Sequence, residues 1–277
     1  MIALFVLKLS TGVAMMWWLM PRKEVTDGFF RIQMRVLLGL AVLTALLLTA
    51  GETWKAAEPA VTTAIDSASA NTPQDLPVWG AFRVASWIRG MAIAVAVISY
   101  AGSIFWALGR RLPGNLCVHV LAILSIVSLG LHSINVPNNV SVAHQLLSDF
   151  ASAALLGGVL TGMLLGHWYL TTPTMSINPL WWFNSAILVA TAFRLAASLW
   201  TVLSAEGSLT DSTHTIWLAI RWAGGVVAPI LMTIMVWRIL KHRNTQSATG
   251  VLFAGLVVVF MGEMTASLLE RDTLFPY

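Results

Sequence analysis

VLFAGLVVVFMGEMTASLL, residues 251–269, decides the reading of this chain. Nineteen residues with one charge, Glu263, are long enough to cross ~30 Å of hydrocarbon as a helix rising ~1.5 Å per residue. A carboxylate inside such a run costs several kcal/mol unless it is paired or wetted. Glu263 is therefore both the interruption in a span and the first candidate for function.

Seven more stretches read the same way: 3–20, 34–50, 86–108, 116–134, 147–170, 181–203 and 215–239. Each must be helical, because an isolated strand leaves its backbone polar groups unsatisfied in lipid. Hydrophobic residues make up 57% of the 277 and charged residues 10%, with mean hydropathy +0.78, which leaves little chain for a soluble domain. The fold class expected is all-α: a polytopic membrane protein of eight transmembrane helices. The initial apolar run lacks a charged leader and a small-x-small cleavage site, so it reads as a retained span.

Basic residues collect in three short connections through Arg22, Lys23, Arg31, Arg35, Arg110, Arg111, Lys241 and Arg243. The opposite loops carry Glu52, Glu58, Asp66, Asp75, Glu206 and Asp211. The positive-inside rule then places both termini outside, in a membrane of the bacterial inner (cytoplasmic) type. A net charge of +4 follows from this topology and calls for no nucleic-acid partner. The loop 52–85, rich in Ala, Thr, Ser and Pro, has no hydrophobic period and predicts no compact domain, although Trp54, Trp79 and Phe82 would lay it on the surface. Trp17, Trp18, Trp168, Tyr169, Trp181, Trp182 and Trp237 fall at inner span ends, as an aromatic belt would.

Weak self-similarity divides the chain into halves 1–135 and 147–277. At an offset of 150, Thr11-Gly12 through Trp17-Trp18-Leu19 faces Thr161-Gly162 through His167-Trp168-Tyr169. Phe29-Phe30-Arg31 faces Trp181-Trp182-Phe183 at 152. At 132, Trp87-Ile88-Arg89 faces Ala219-Ile220-Arg221, and Gly130-Leu131-His132 faces Gly262-Glu263-Met264. The order of the matches suggests two tandem four-helix bundles in parallel repeat.

Threaded through a bilayer, Lys8, Arg89, His132, Asp149, Arg194, Arg221 and Glu263 drift toward the outer side. Arg194 and Glu263 lie ~20 Å from the inner boundary. They are the leading site candidates with His132: Glu263 as a proton relay, Arg194 as its counter-ion, and His132 as a hydrogen-bond partner for a ring oxygen. The bland reading pairs Glu263 with Arg194 and Asp149 with Lys8. It leaves Arg89 and Arg221 snorkelling near helix ends.

His119, His132, His144 and His167 suggest cofactor binding, with Arg89 and Arg221 nearby, and the candidates are a quinone or haem b. Two stacked haems suit the spacing poorly, because thirteen residues put His119 and His132 ~140° apart around a helix. Gly158, Gly162 and Gly166 form a small-residue face leading to His167, by default a packing surface and otherwise a seat for a flat ring. The uncharged loop 171–179 carries two prolines and reads as covered by a partner or lining an inner pocket.

Phosphate loops, nucleophile elbows, paired cysteines and zinc-protease pairs are absent, and Cys117 stands alone. The eight-span plan resembles the quinol-interacting membrane subunits of polysulfide-reductase type, a likeness of architecture that carries over no residues. The expectation is an integral membrane subunit of a respiratory-type electron-transfer complex, with a quinone or haem pocket toward the outer face. Its partners would be the bilayer and the other subunits. The alternatives are a small-solute or proton-coupled transporter and a structural subunit without chemistry. Whether the chain is itself an enzyme stays open.

Overall fold

A computed structural model describes residues 2–66, 78–136, 140–172, 174–204 and 212–277. Eight helices are long and apolar enough to cross a membrane. They are α1 (Ile2–Leu19), α2 (Asp27–Asp66), α3 (Val78–Ala107), α4 (Arg111–Asn135), α5 (Val142–Thr171), α6 (Asn178–Ser204), the paired segments α7 (Ser212–Trp222) and α8 (Ala228–Lys241), and α9 (Thr245–Thr273). No strand occurs among the described residues, so this is an all-α polytopic membrane protein.

The helices overrun the apolar runs because their polar ends continue the backbone ladder beyond the hydrocarbon. The largest correction concerns 52–85, read as loop. The helix α2 continues to Asp66 and α3 begins at Val78. The side chains of Trp54, Trp79 and Phe82, and residues Asp75, Glu206 and Asp211, lie outside the described residues.

Local chemistry ends each helix where the chain must turn. Gly109 adopts φ 68° between α3 and α4, and Arg243 adopts φ 53° between α8 and α9. Ser141 and Asn244 cap α5 and α9 by accepting from the amides of His144 and Ser247.

Helices α1 to α4 pack as a closed ring, each against the next and α4 back onto α1. The second half closes likewise through α5, α6, the α7–α8 span and α9. The rings meet chiefly along α1 and α5. There Gly12 and Gly157 touch through their backbones: a Cβ on Gly12 would lie 1.8 Å from the Ala153 carbonyl oxygen, and one on Gly157 would lie 2.0 Å from the Gly12 carbonyl carbon. No side chain fits between the two helices at that level. The expected small-residue face is used more loosely, with Gly158 and Gly162 against Ile187 of α6 and Gly166 against Thr249 of α9.

Two members of the expected aromatic belt are core residues instead. Trp17 and Tyr169 are buried, while Trp18 and Trp237 remain exposed, Trp237 lying under the Lys241 ammonium. The loop after α5 folds onto its own chain: the Tyr169 hydroxyl donates to the Ser176 carbonyl, and the Ser176 hydroxyl donates to Glu24 at 3.0 Å.

The seventh span is not a regular helix. Residues Ala223–Val227 make a π turn, with the Ala228 amide donating five residues back to Ala223. Pro229 follows at once and supplies no amide for the ladder. Pro229 is the only proline within this span. The turn presses Gly224 and Gly225 against Gly262 of α9, which sets Arg221 over the helix that carries Glu263.

Candidate functional site: buried ion clusters at the terminal face

With eight spans, both ends of the described chain lie on one side of the bundle, termed here the terminal face. The opposite side, with Arg22, Arg110 and Arg243, is the basic face. Near the terminal face α5 carries Gln145, Ser148, Asp149 and Ser152, spaced three and four apart and therefore on one stripe. All four are buried and meet polar groups from α1, α4, α6 and α9.

The first cluster forms between the rings. Lys8 Nζ of α1 lies 2.8 Å from Asp149 Oδ1 and 3.7 Å from Glu270 Oε2. The Ser133 hydroxyl of α4 donates to Asp149 Oδ2 at 2.6 Å. Gln145 Nε2 donates to Asp149 Oδ2 at 3.1 Å and to Glu270 Oε1 at 2.8 Å. Asp149 is fully buried, whereas Glu270 is 15% exposed and opens the cluster to the terminal face.

The second cluster lies inside the second ring. Arg194 Nε donates to both Glu263 oxygens, at 3.0 and 3.2 Å. Its Nη1 donates to Ser148 at 2.7 Å and its Nη2 to the Tyr277 carbonyl at 2.5 Å. The Ser152 hydroxyl donates to Glu263 Oε2 at 2.5 Å, and Arg221 Nη1 sits 3.3 Å from Oε1. Residues 274–277 turn back over this cluster after Leu274 takes a left-handed conformation. The Pro276 carbonyl accepts from Thr201 at 2.7 Å.

Lys8, Arg194 and Arg221 thus face Asp149, Glu263 and Glu270, three cations against three carboxylates. Isolated burial of any one would cost several kcal/mol, which pairing and hydroxyl donors offset. Both pairs anticipated from depth, Glu263 with Arg194 and Asp149 with Lys8, are present. Arg221 is a correction. It does not snorkel: it is fully buried, and its Nη2 lacks a hydrogen-bond partner among the described residues. Arg89, its expected mate, is partly exposed.

His132 does not join Arg194 and Glu263. It projects from α4, half-buried, and interacts electrostatically with Asp149, Lys8 and Glu270. Its Nε2 has no hydrogen-bond partner among the described residues.

The other imidazoles are dispersed. His144 Nε2 lies 3.0 Å from the Thr201 hydroxyl, and the ring stacks on Trp200 with centroids 4.8 Å apart. His119 Nδ1 lies 2.6 Å from the Asn115 carbonyl oxygen, and its Nε2 lies 3.4 Å from Arg22. His167 is exposed on the outside of α5. Among the described contacts these rings meet different neighbours, Thr201 and Trp200 for His144 and Asn115 and Arg22 for His119, and none meets another of the rings. No group of three metal-binding side chains occurs among the described residues.

Sequence reasoning missed Gln145, Ser133, Ser148, Ser152 and Glu270. For Gln145, Ser148 and Ser152 the available signal was their place on the α5 stripe that carries Asp149; Ser133 of α4 and Glu270 of α9 had none. An apolar groove of about 530 Å³ between α1, α5 and α6 is lined by no member of either cluster. No protein family, curated protein or solved structure matches this chain.

Proposed function

We propose that this protein is an integral membrane subunit of an electron-transfer complex. Its part is to take up protons released by quinol oxidation at the terminal face, which the basic-loop bias places outside. The observation that carries the reading is His132, whose buried Nε2 has no hydrogen-bond partner among the described residues and whose ring interacts electrostatically with Asp149, Lys8 and Glu270. Oxidation of a quinol to a quinone releases two protons and two electrons: the two hydroxyls give their protons to that nitrogen in turn, each relayed onward before the next, and the two electrons leave for a redox centre held by a partner subunit. Each proton passes through Asp149 and Lys8 to Glu270, the one partly exposed acid of the set. Glu263 suits the relay less well than its depth suggested, because Arg194, Arg221 and Ser152 occupy both its oxygens.

The test is to isolate the tagged chain from its native membrane under mild detergent and identify redox-active subunits that accompany it. Quinol-dependent turnover is then measured with His132→Gln and Asp149→Asn. The reading requires slowed turnover with assembly intact. Normal turnover in both variants leaves the clusters as structure alone.

That second reading, a subunit without chemistry, is favoured by the balance of three cations against three carboxylates. Taken together the two clusters balance in charge, and the one between α1, α4, α5 and α9 holds the two rings in register whether or not protons move through it.

A further inference from the structure

A second polar feature lies on the opposite side of the molecule. Between α2 and α3, toward the basic face, a groove of about 490 Å³ is lined by Arg35, Leu38, Ser99, Tyr100, Ser103, Ile104, Ala107 and Leu108. Arg35 is eight residues past the start of α2, ~12 Å from that helix end, where a guanidinium reaches the interface only by snorkelling. The ion pairs among the described residues do not include Arg35. Asp27, on the same helix, is taken by Arg111 at 2.9 Å.

The floor of the groove is also polar. Ser99 is fully buried, yet its hydroxyl has no hydrogen-bond partner among the described residues. Ser103 donates to the Tyr100 carbonyl at 2.8 Å, which leaves its oxygen lone pairs available. Tyr100, Ile104 and Leu108 are exposed along the rim, so the slot opens sideways into the hydrocarbon. An uncompensated cation, an orphan hydroxyl and an apolar rim at the bilayer boundary describe an amphiphile with an anionic head.

We propose that this groove binds one anionic glycerophospholipid, with its phosphate on Arg35. The polar glycerol region lies against Ser99 and Ser103, and an acyl chain runs along Leu38 and Ile104. The occupant is a lipid and not a soluble anion, because the slot opens into the membrane between two spans. The basic loops put it in the leaflet where anionic headgroups concentrate. The site is independent of the clusters at the terminal face.

Native mass spectrometry of the full chain in detergent tests this, with phosphatidylglycerol and phosphatidylcholine of matched chains titrated in parallel. One phosphatidylglycerol should be retained roughly fivefold more tightly than phosphatidylcholine, the order one basic residue near an anionic headgroup provides. Arg35→Gln should abolish that preference, and Ser99→Leu, which fills the floor while keeping the cation, should weaken retention of both lipids. Arg110→Gln, on the same face but outside the groove, should change neither. Equal retention of the two lipids, or a preference unmoved by Arg35→Gln, overturns the proposal. So does competition by inorganic phosphate at millimolar concentration, which would make this a site for a free anion.

Discussion

Lys8 Nζ of α1 and Asp149 Oδ1 of α5 lie 2.8 Å apart in the seam between the two helical rings, both almost wholly buried. The pair sits one turn from Gly12, where α1 and α5 touch through their backbones. Close approach and ion pair therefore belong to one contact: the glycines bring the helices together, and the charges set their register.

Removing one partner should cost far more than removing both. Lys8→Met leaves Asp149 without its cation, and the expected loss is ~3–5 kcal/mol of unfolding free energy. Lys8→Met combined with Asp149→Asn should recover most of it, since no net charge is then buried at the pair. Reversible denaturation in mixed micelles measures both, and a double variant no more stable than the single one would refute the coupling.

Gly12→Leu and Gly157→Leu should prevent the rings from docking. A Cβ at either position falls far inside van der Waals contact with the facing backbone, so a whole helix must move. Gly39→Ala and Gly90→Ala, where an added methyl meets nothing within 4 Å, should purify like the parent protein. Size-exclusion profiles in detergent compare the four.

Glu263→Gln and Asp149→Asn should separate two roles. Glu263→Gln leaves Arg194 and Arg221 facing each other without a carboxylate, so its main effect should be a lower midpoint of thermal unfolding. Asp149→Asn leaves Lys8 only Glu270 at 3.7 Å and so lowers stability too, but it should in addition slow quinol turnover per assembled complex, which Glu263→Gln should not. The reverse pattern would return the relay to Glu263.

Deleting residues 274–277 should destabilise the second ring, because Arg194, Arg221 and Thr201 lose the Tyr277 and Pro276 carbonyls as acceptors. Hydrogen exchange on α6 and α9 should rise near Arg194 and Glu263, with the first ring unchanged.

Cysteines at Asp272 and Arg110, in a Cys117→Ala background, should report opposite sides of the membrane. Asp272 should label from outside in intact cells, and Arg110 only after permeabilisation. Inverted labelling would move both clusters to the cytoplasmic side.

What the amino-acid order determined alone was the solvent. Runs such as 251–269 are too apolar and too long for a soluble core, and the absence of water in hydrocarbon leaves only the helix, so eight spans follow directly. Depth was legible for the same reason, since a residue's height along a helix is its count from the end. That sufficed to match Arg194 with Glu263 and Lys8 with Asp149. Azimuth was not legible. Whether His132 faces Asp149 or Glu263, whether Arg221 snorkels or is buried, and whether His144 holds a ligand or stacks on Trp200 depend on which helices become neighbours. Packing decided that: Gly12 against Gly157 set α1 on α5, and the π turn before Pro229 carried Arg221 over Glu263. Backbone contacts of this kind arise between distant parts of the chain, where spacing along a single helix carries no information.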